Sequence, residues 1–292
     1  MSALTYPAVG TIRNEATGLS HHRPGFTVSV IIPAKNEARN IAWVLEHMPL
    51  SVDEVIVIDG NSTDRTIEVA RAIRPDVVIV SEPGRGKGTA MRTGFEVARG
   101  IFVVVLDADG SMDPRDIDLY VEQLAAGADL VKGSRYLTGG GSTDLTRVRS
   151  LGNRALLFAS NLIYRQSFTE LCYGFMALRT SRIPELRLEA TGFEIETEIV
   201  TKAVRHGFAV AEVPSRESPR ISGASNLHAF RDGIRIVRTI LREARPWRNR
   251  PVAVPVMGAT HESVPESWMD QLEERILGEA AVSHDAEVAV AD

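Results

Sequence analysis

Cysteine and long apolar runs are what this sequence has least of. Its 292 residues include one cysteine, Cys172, which excludes a disulfide framework and a zinc ribbon. No apolar run approaches the roughly 20 residues that a helix needs to span a bilayer. The N-terminus carries no apolar stretch of the signal-peptide kind either, so the sequence predicts a cytoplasmic protein.

Aromatic residues are also scarce, at 6% of the chain, and few of them interleave with the basic segment. That segment, residues 216–250, has nine arginines and three acidic residues, whereas residues 261–292 have nine acidic residues and one basic residue. Nucleic-acid binding is therefore not expected. A basic segment followed by an acidic tail instead suggests contact with something anionic, which the tail modulates.

Hydrophobic residues make up 44% of the chain and charged residues 24%, proportions typical of a soluble globular protein. A regular alternation of strand and helix patterns is confined to residues 27–250, which are predicted to form one domain. Residues 1–26 show no periodicity and are predicted to be a flexible arm. Residues 251–292 are predicted to be an acidic C-terminal tail with one isolated helix. The sequence makes no prediction of the oligomeric state.

Short apolar runs alternate with segments of helical periodicity from residue 28 onward. Five runs predict strands over 28–33, 54–59, 77–80, 101–107 and 129–132. Strands that are apolar throughout, with amphipathic helices between them, predict an α/β fold with a mostly parallel central sheet and helices on both faces. Later segments predict strands over 175–178 and 208–213 and helices over 148–164, 193–206 and 226–245.

Carboxylates follow the fourth predicted strand, at the position where open parallel sheets bind ligands. Asp107 and Asp109, with Ala108 between them, could share one hard cation through oxygen ligands. Such a cation would offset the charge on a diphosphate leaving group. The alternative is a helix-start cluster, because Asp113 and Asp116 lie nearby.

Two further strand ends carry polar groups. The segment Gly84-Arg-Gly-Lys-Gly88 fits neither the dinucleotide pattern nor the P-loop pattern. It is either a plain glycine turn or a place where Arg85 and Lys87 meet phosphate or ribose oxygens. Asp59 closes an apolar strand, where a carboxylate has no structural use, and could accept hydrogen bonds from a nucleobase or ribose.

These segments, in their order along the chain, resemble family 2 glycosyltransferases with a GT-A (Rossmann-like) fold. The resemblance is strongest to the polyprenyl-phosphate (dolichol-phosphate) mannose and glucose synthase branch and spans residues 28–245. The early motifs are Ile31-Ile-Pro-Ala-Lys-Asn-Glu37, Val57-Ile-Asp-Gly-Asn-Ser-Thr-Asp64, Gly84-Arg-Gly-Lys-Gly-Thr-Ala90 and Leu106-Asp-Ala-Asp-Gly110. The later ones are Gly133-Ser-Arg-Tyr136, Leu171-Cys-Tyr-Gly-Phe175, Gly192-Phe-Glu-Ile-Glu196 and Arg220-Ile-Ser-Gly-Ala-Ser225.

The resemblance implies a donor site for a nucleoside-diphosphate sugar. Its base would lie in a cradle of Pro33, Ala34, Glu37 and Asp59. Lys87 would lie near the ribose-phosphate portion. The Asp107-Ala108-Asp109 segment would contact the donor and hold Mg²⁺ or Mn²⁺ on the diphosphate through its two carboxylates.

The same resemblance implies that Arg135, Arg220 and Ser225 address an acceptor or donor phosphate. Two positions depart from the branch. Ser111 stands where glutamine is often found, and Asn226 stands where lysine is usual. The C-terminal membrane helices that some members of the branch carry are also absent from this sequence.

Three glutamates, Glu194, Glu196 and Glu198, follow the late Gly-Phe pair. An exposed acidic helix face is the commoner explanation for this spacing. A hydroxyl acceptor would instead require a general base, and Glu194 would be the leading candidate. A phosphate acceptor would need none, because it is already mostly dianionic at neutral pH.

Together with these residues, the resemblance implies a metal-dependent inverting hexosyltransferase that uses GDP-mannose or UDP-glucose and a polyprenyl-phosphate acceptor. The alternatives are transfer to a soluble hydroxyl acceptor, a nucleotidyltransferase and a nucleotide-binding module without catalytic activity.

The predicted helix that begins at Asn226 carries two parallel stripes of side chains. One stripe consists of Arg231, Arg235, Arg238, Arg242 and Arg245, and the other, which is apolar, consists of Phe230, Ile234, Val237 and Leu241. The apolar stripe either packs into the core or lies, with the arginines, on an anionic leaflet at the inner face of the membrane.

Overall fold

The computed structural model of the chain describes residues 26–82, 86–223 and 228–244. Residues 1–25 of the predicted arm and all of the predicted acidic tail, with its isolated helix, lie outside the described residues. Arg85 and Ser225 lie outside them as well. The expectations for these parts of the chain therefore stay predictions.

The described residues contain strands and helices in the predicted alternation. The strands are β1 (Val28–Ala34), β2 (Glu54–Asp59), β3 (Val78–Ser81), β4 (Phe102–Val105), β5 (Leu130–Ser134), β6 (Gly141–Ser142), β7 (Met176–Arg179), β8 (Val210–Pro214) and β9 (Arg216–Glu217). The helices are α1 (Ile41–Glu46), α2 (Thr66–Ile73), α3 (Lys87–Val97), α4 (Ile117–Ala125), α5 (Arg147–Tyr164), α6 (Ile183–Leu186), α7 (Ile195–Arg205) and α8 (Ala229–Ala244).

The central sheet has seven strands in the order β3-β2-β1-β4-β7-β5-β8. β1 pairs in parallel with β2 and β4, β2 with β3, and β5 with β8. β7 runs antiparallel to both of its neighbours, β4 and β5. The prediction of a mostly parallel sheet is confirmed, and β7 is the strand whose direction the sequence did not indicate.

Side chains that alternate along β1 divide between two cores, one on each face of the sheet. Val30 and Ile32 pack in a core that also contains buried residues of α1, α2 and α4. Ile31 packs in the other core with buried residues of α3, α5, α7 and α8. Helices therefore cover both faces, as predicted for strands that are apolar on both sides.

α5 and α8 are neighbours on the second face, and each buries one side of itself against the core. From α8, Ile236 and Ile240 pack inward, and the Tyr164 hydroxyl at the end of α5 donates a 2.8 Å hydrogen bond to the Ile240 carbonyl. Within the described ranges, no helix combines the length and the apolar character needed to cross a bilayer.

The segment after β8 returns across the end of β4. β9 pairs in parallel with β6, the short strand after β5. The Ser218 N–H then donates to the Ser111 carbonyl at 2.9 Å, and the Ile221 N–H donates to the Asp109 carbonyl at 3.1 Å. These contacts bring Arg220 over the carboxyl edge of the sheet.

Candidate active site

A cavity of about 1250 Å³ opens at the carboxyl edge of the parallel strands. Loops that follow β1, β2, β4 and β5 line one side of it, as the strand-end argument predicted. α5 and α8 line the other side. The predicted site residues that line it are Pro33, Ala34, Glu37, Lys87, Asp107, Ala108, Asp109, Arg135 and Arg220.

Lys87 and Asp107 meet inside this cavity. The Lys87 Nζ lies 2.6 Å from Asp107 Oδ1 and 2.8 Å from Glu196 Oε1. Gly174, just before β7, leaves the room for this cluster, because a Cβ there would lie 2.6 Å from the lysine nitrogen. The antiparallel direction of β7 explains the meeting, since it places the residues that precede β7 beside the end of β4.

Burial and the neighbouring charges shift the pKa values of Lys87 and Asp107 in opposing directions. Removal of water lowers the pKa of Lys87, but Asp107 and Glu196 raise it, and the net shift is upward. The pKa of Asp107 is raised to about 6, chiefly by burial and also by Asp109 and Glu196, against the lowering effect of Lys87. Lys87 is therefore a permanent cation at neutral pH.

Asp109 lies beside a second ion pair. Arg220 Nη2 donates to Glu37 Oε1 at 2.7 Å, and its Nη1 lies 3.9 Å from Asp109 Oδ2. Asp109 also accepts a 3.0 Å hydrogen bond from the Ser111 N–H. Arg220 thus links the carboxylate after β1 to the carboxylate after β4.

The expected base cradle is only partly assembled at the cavity wall. Pro33, Ala34 and Glu37 line the cavity, as do the two neighbours of Asp59 in the chain. Asp59 itself is buried, is not among the lining residues, and accepts hydrogen bonds from the Ser62 N–H at 3.2 and 3.3 Å. This carboxylate thus has a structural use that the sequence reasoning denied it, and its contact with a nucleobase stays a prediction.

Arg135, which the resemblance implies to be a phosphate ligand, is held by several groups of the protein. Its side chain is 3% exposed and donates to Glu170 Oε2 at 2.8 Å and to Glu217 Oε2 at 3.0 Å. A third hydrogen bond goes to the Cys172 carbonyl at 3.0 Å. Arg135 also lines the cavity, and its contact with a phosphate stays a prediction.

The expectation of an exposed acidic face on α7 is wrong, because Glu194, Glu196 and Glu198 are all buried. α7 begins at Ile195, two residues later than the predicted start at residue 193. Glu194 therefore precedes the helix, where its Oε1 accepts from the N–H groups of Thr191 at 3.3 Å and Gly192 at 3.2 Å.

Glu196, rather than Glu194, reaches the cavity. The sequence reasoning missed it, although it ends the Gly192–Glu196 motif that carried part of the resemblance. Glu198 lies deeper in the protein, where its carboxylate bonds to Lys202 and Arg242, each at 2.9 Å. The cavity lining thus favours Glu196 over Glu194 as the candidate general base of the hydroxyl-acceptor alternative, and the choice between them stays a prediction.

The expectation that α8 could place its apolar stripe in the core is also wrong. Phe230 is 84% exposed, and Ile234, Val237 and Leu241 are exposed as well. The arginines of the neighbouring stripe, Arg231, Arg235, Arg238 and Arg242, are exposed on the same outward side. Exposed apolar residues also occur on α5, at Leu151, Phe158 and Leu162.

The donor set at the end of β4 fits a hard divalent cation. Asp107 and Asp109 offer carboxylate oxygens, the ligands that Mg²⁺ and Mn²⁺ prefer, and both side chains are partly open to the cavity. In the described ranges, no group of three or more His, Cys, Asp or Glu side chains is arranged to hold a metal ion.

Solved structures share this architecture. Glucosyl-3-phosphoglycerate synthase from Mycobacterium tuberculosis, in complex with Mn²⁺, uridine diphosphate and glucosyl-3-phosphoglycerate, superposes with a TM-score of 0.62. The match is 26% identical in sequence and covers 77% of this chain and 87% of that one. The sheet and the site at its carboxyl edge together define a glycosyltransferase with a GT-A fold.

Sequence comparison then gives the family, since residues 29–185 match the family described as Glycosyl transferase family 2. The glycosyltransferase AglJ of Haloferax volcanii is 34% identical over 223 residues, 75% of this chain and 72% of AglJ. A dolichol-phosphate mannosyltransferase of Pyrococcus furiosus is 31% identical over 209 residues, 68% of this chain but 59% of that longer protein. The chain belongs to glycosyl transferase family 2.

Proposed function

We propose that this glycosyltransferase moves a hexose from a nucleoside-diphosphate sugar, GDP-mannose or UDP-glucose, to a polyprenyl phosphate, with inversion at the anomeric carbon. One observation carries the proposal. The lining of one cavity combines the carboxylates that follow β4 with apolar and arginine side chains of α8. A polar donor and a lipid-linked acceptor need these two environments side by side.

The sugar donor would be bound by residues from the loops at the carboxyl edge of the sheet. Pro33, Ala34 and Glu37 would hold the nucleoside, and Lys87 would lie near the phosphates. Asp107 and Asp109 would hold Mg²⁺ or Mn²⁺, which neutralises charge on the departing diphosphate. The named activity of the Pyrococcus relative and the Mn²⁺ and uridine diphosphate of the Mycobacterium structure support this assignment.

The acceptor end favours a phosphate over a hydroxyl. A hydroxyl nucleophile needs a base to take its proton. Glu196 lines the cavity but is ion-paired to Lys87, and Glu194 accepts hydrogen bonds from backbone N–H groups. A phosphate monoester needs no base, and Arg220 at the cavity wall offers a planar fork suited to its oxygens.

The proposal predicts the outcome of a screen of donors and acceptors. The purified protein with Mn²⁺ would be incubated with labelled GDP-mannose or UDP-glucose and one of three acceptors: a polyprenyl phosphate, the matching polyprenol, or phosphoglycerate. We expect label to enter the organic phase only with the polyprenyl phosphate. Transfer to phosphoglycerate alone, the compound bound with Mn²⁺ and uridine diphosphate in a further structure of the Mycobacterium enzyme, would establish a soluble acceptor instead.

We further propose a peripheral position at the cytoplasmic face of the membrane, with the outer face of α8 on an anionic leaflet. This face consists of Phe230, Arg231, Ile234, Arg235, Val237, Arg238, Leu241 and Arg242, all exposed. Arginines attract anionic headgroups, by about 1 kcal/mol each near the surface, while the apolar side chains between them enter the interface. Several of these residues also line the cavity, so a lipid phosphate would reach it from the leaflet.

Binding to anionic vesicles is the expected result. The protein should co-sediment with vesicles that contain phosphatidylserine at low salt and dissociate at high salt, because screening weakens the arginine contacts. Leu241→Asp should weaken binding, and deletion of residues 261–292 should strengthen it if the acidic tail competes for the arginines.

A matched control is available on the opposite face of the sheet. Leu119 of α4 is 41% exposed, close to the 54% of Leu241, so Leu119→Asp makes the same change away from the proposed surface. This variant should bind vesicles like the unmodified protein. Failure of the unmodified protein to bind at low salt would contradict the membrane proposal and favour a soluble acceptor.

A further inference from the structure

Lys87 makes more contacts within the protein than binding of a ligand phosphate alone would require. Its ammonium is hydrogen-bonded to Glu196, ion-paired with Asp107, and 5.8 Å from the centre of the Phe193 ring. The side chain is 9% exposed. In this structure the ammonium is thus held between two carboxylates inside the protein.

The backbone under Lys87 is fixed as well. Gly86 has a φ of 111°, which disfavours other residues, and a Cβ at Gly88 would lie 2.6 Å from the Ala190 carbonyl oxygen. The Gly88 N–H donates to the Thr191 carbonyl at 3.0 Å. The first turn of α3 is thus packed directly on the segment that leads into α7, and it holds Lys87 between Asp107 and Glu196.

The ammonium of Lys87 and a divalent cation need the same carboxylate. Asp107 is one of the two proposed metal ligands, and its Oδ1 lies 2.6 Å from Lys87 Nζ. A doubly charged ion on the same carboxylate would be close enough to the ammonium to repel it strongly. Glu196 offers the ammonium a second carboxylate 2.8 Å away, so the lysine can leave Asp107 without becoming a buried unpaired charge.

We propose that Lys87 is a positioning residue that controls metal loading: its ammonium competes with the divalent cation for Asp107, and Glu196 takes over the ammonium when the cation binds. The inference rests on the proposed function, because it assumes a metal at Asp107 and Asp109. It adds a role for Glu196 that the donor and acceptor assignments do not contain. Glu196 acts here through Lys87, and not as a metal ligand or as a base.

The test is the affinity for Mn²⁺ without any sugar donor, measured from the electron paramagnetic resonance signal of unbound Mn²⁺. Lys87→Met removes the competing cation and should bind Mn²⁺ about tenfold more tightly than the unmodified protein. Lys35→Met is the control, since the exposed Lys35 lines the same cavity and carries the same charge. Its Mn²⁺ affinity should change by less than about twofold.

Glu196→Gln tests the second half of the inference and keeps the side-chain shape. With Glu196 neutral, the ammonium depends more on Asp107, and Mn²⁺ binding should weaken about tenfold. In the double variant, Lys87→Met with Glu196→Gln, this weakening should disappear, because Glu196 acts through the lysine. If Glu196→Gln still weakens Mn²⁺ binding in the protein that carries Lys87→Met, Glu196 acts on the metal directly and the inference is wrong.

The outcomes separate this inference from the proposed function. If the unmodified protein does not bind Mn²⁺ even with a sugar donor present, the metal assignment of the proposed function fails, and this inference with it. If it binds Mn²⁺ while Lys87→Met binds no more tightly, the inference alone is overturned. Should Lys87→Met fail to fold, an unchanged Mn²⁺ affinity of Glu196→Gln would overturn it equally.

Discussion

Replacing Asp109 with asparagine is expected to lower the rate of sugar transfer about a thousandfold, because metal stabilisation of a departing diphosphate contributes several kcal/mol. The change removes one negative charge but keeps an oxygen that can accept the 3.0 Å hydrogen bond from the Ser111 N–H. The loop after β4 should therefore keep its shape. Transfer would be measured over a range of Mn²⁺ concentrations, beside thermal unfolding of the same preparation.

The matched control lies four residues further along the chain. Asp113 accepts from the Arg115 N–H at 3.0 Å before the turn that leads into α4, and it is not among the residues that line the cavity. Asparagine caps such a turn about as well as aspartate does. Asp113→Asn should thus retain normal transfer, and a folded Asp109→Asn protein with near-normal turnover would end the metal assignment.

Replacing Arg220 with lysine is expected to lower transfer to a polyprenyl phosphate about a hundredfold, although the charge is kept. The guanidinium binds the Glu37 carboxylate at 2.7 Å and the Ser222 carbonyl at 2.9 Å, and it lies 3.9 Å from Asp109. A lysine ammonium is one compact point of charge and cannot reproduce this fork. The loss should appear in both kcat and the KM for the acceptor.

The same experiment separates the two acceptor classes. If a hydroxyl were the acceptor, Glu196→Gln would be the more damaging change, because Glu196 is the glutamate of α7 that lines the cavity. Glu194→Gln should have the smaller effect in either case, since Glu194 accepts hydrogen bonds from backbone N–H groups outside the cavity lining. If neither Arg220→Lys nor Glu196→Gln lowered the rate of sugar transfer, both acceptor assignments would be contradicted.

An arginine on the same segment provides the control for Arg220→Lys. Arg216 of β9 is exposed, and its Nε donates to the Gly139 carbonyl at 3.1 Å. It is not among the cavity-lining residues. Arg216→Lys should leave kcat and KM unchanged, so that a loss in Arg220→Lys cannot be ascribed to a general weakening of this segment.

The sequence alone was sufficient for the parallel half of the sheet and for the residues at its edge. β1, β2 and β4 are short runs of residues that are apolar on both sides, and such runs have a stable place only between two layers of helices. Asp107 and Asp109 follow the last of these runs, and parallel strands bring their carboxyl ends to one edge. Their position in the cavity therefore follows from local order in the chain.

Tertiary structure decided what depends on partners distant in the sequence. The antiparallel direction of β7 brings Gly174 beside Lys87, and the start of α7 at Ile195 turns Glu196 into the cavity instead of Glu194. Neither is indicated by local periodicity, because an apolar run is compatible with either strand direction and a helix start can move by one or two residues.

Tertiary structure also decided which charged side chains are paired and which apolar side chains are exposed. The resemblance implies that Arg135 contacts a phosphate, but no local pattern indicates that Glu170 and Glu217, 35 and 82 residues away in the chain, bind its guanidinium. The arginine and apolar stripes of α8 were visible in the sequence, whereas the side that faces outward was set by the packing of Ile236 and Ile240. A sequence shows which groups a helix or loop carries, but burial and pairing depend on the surfaces that the folded chain brings against them.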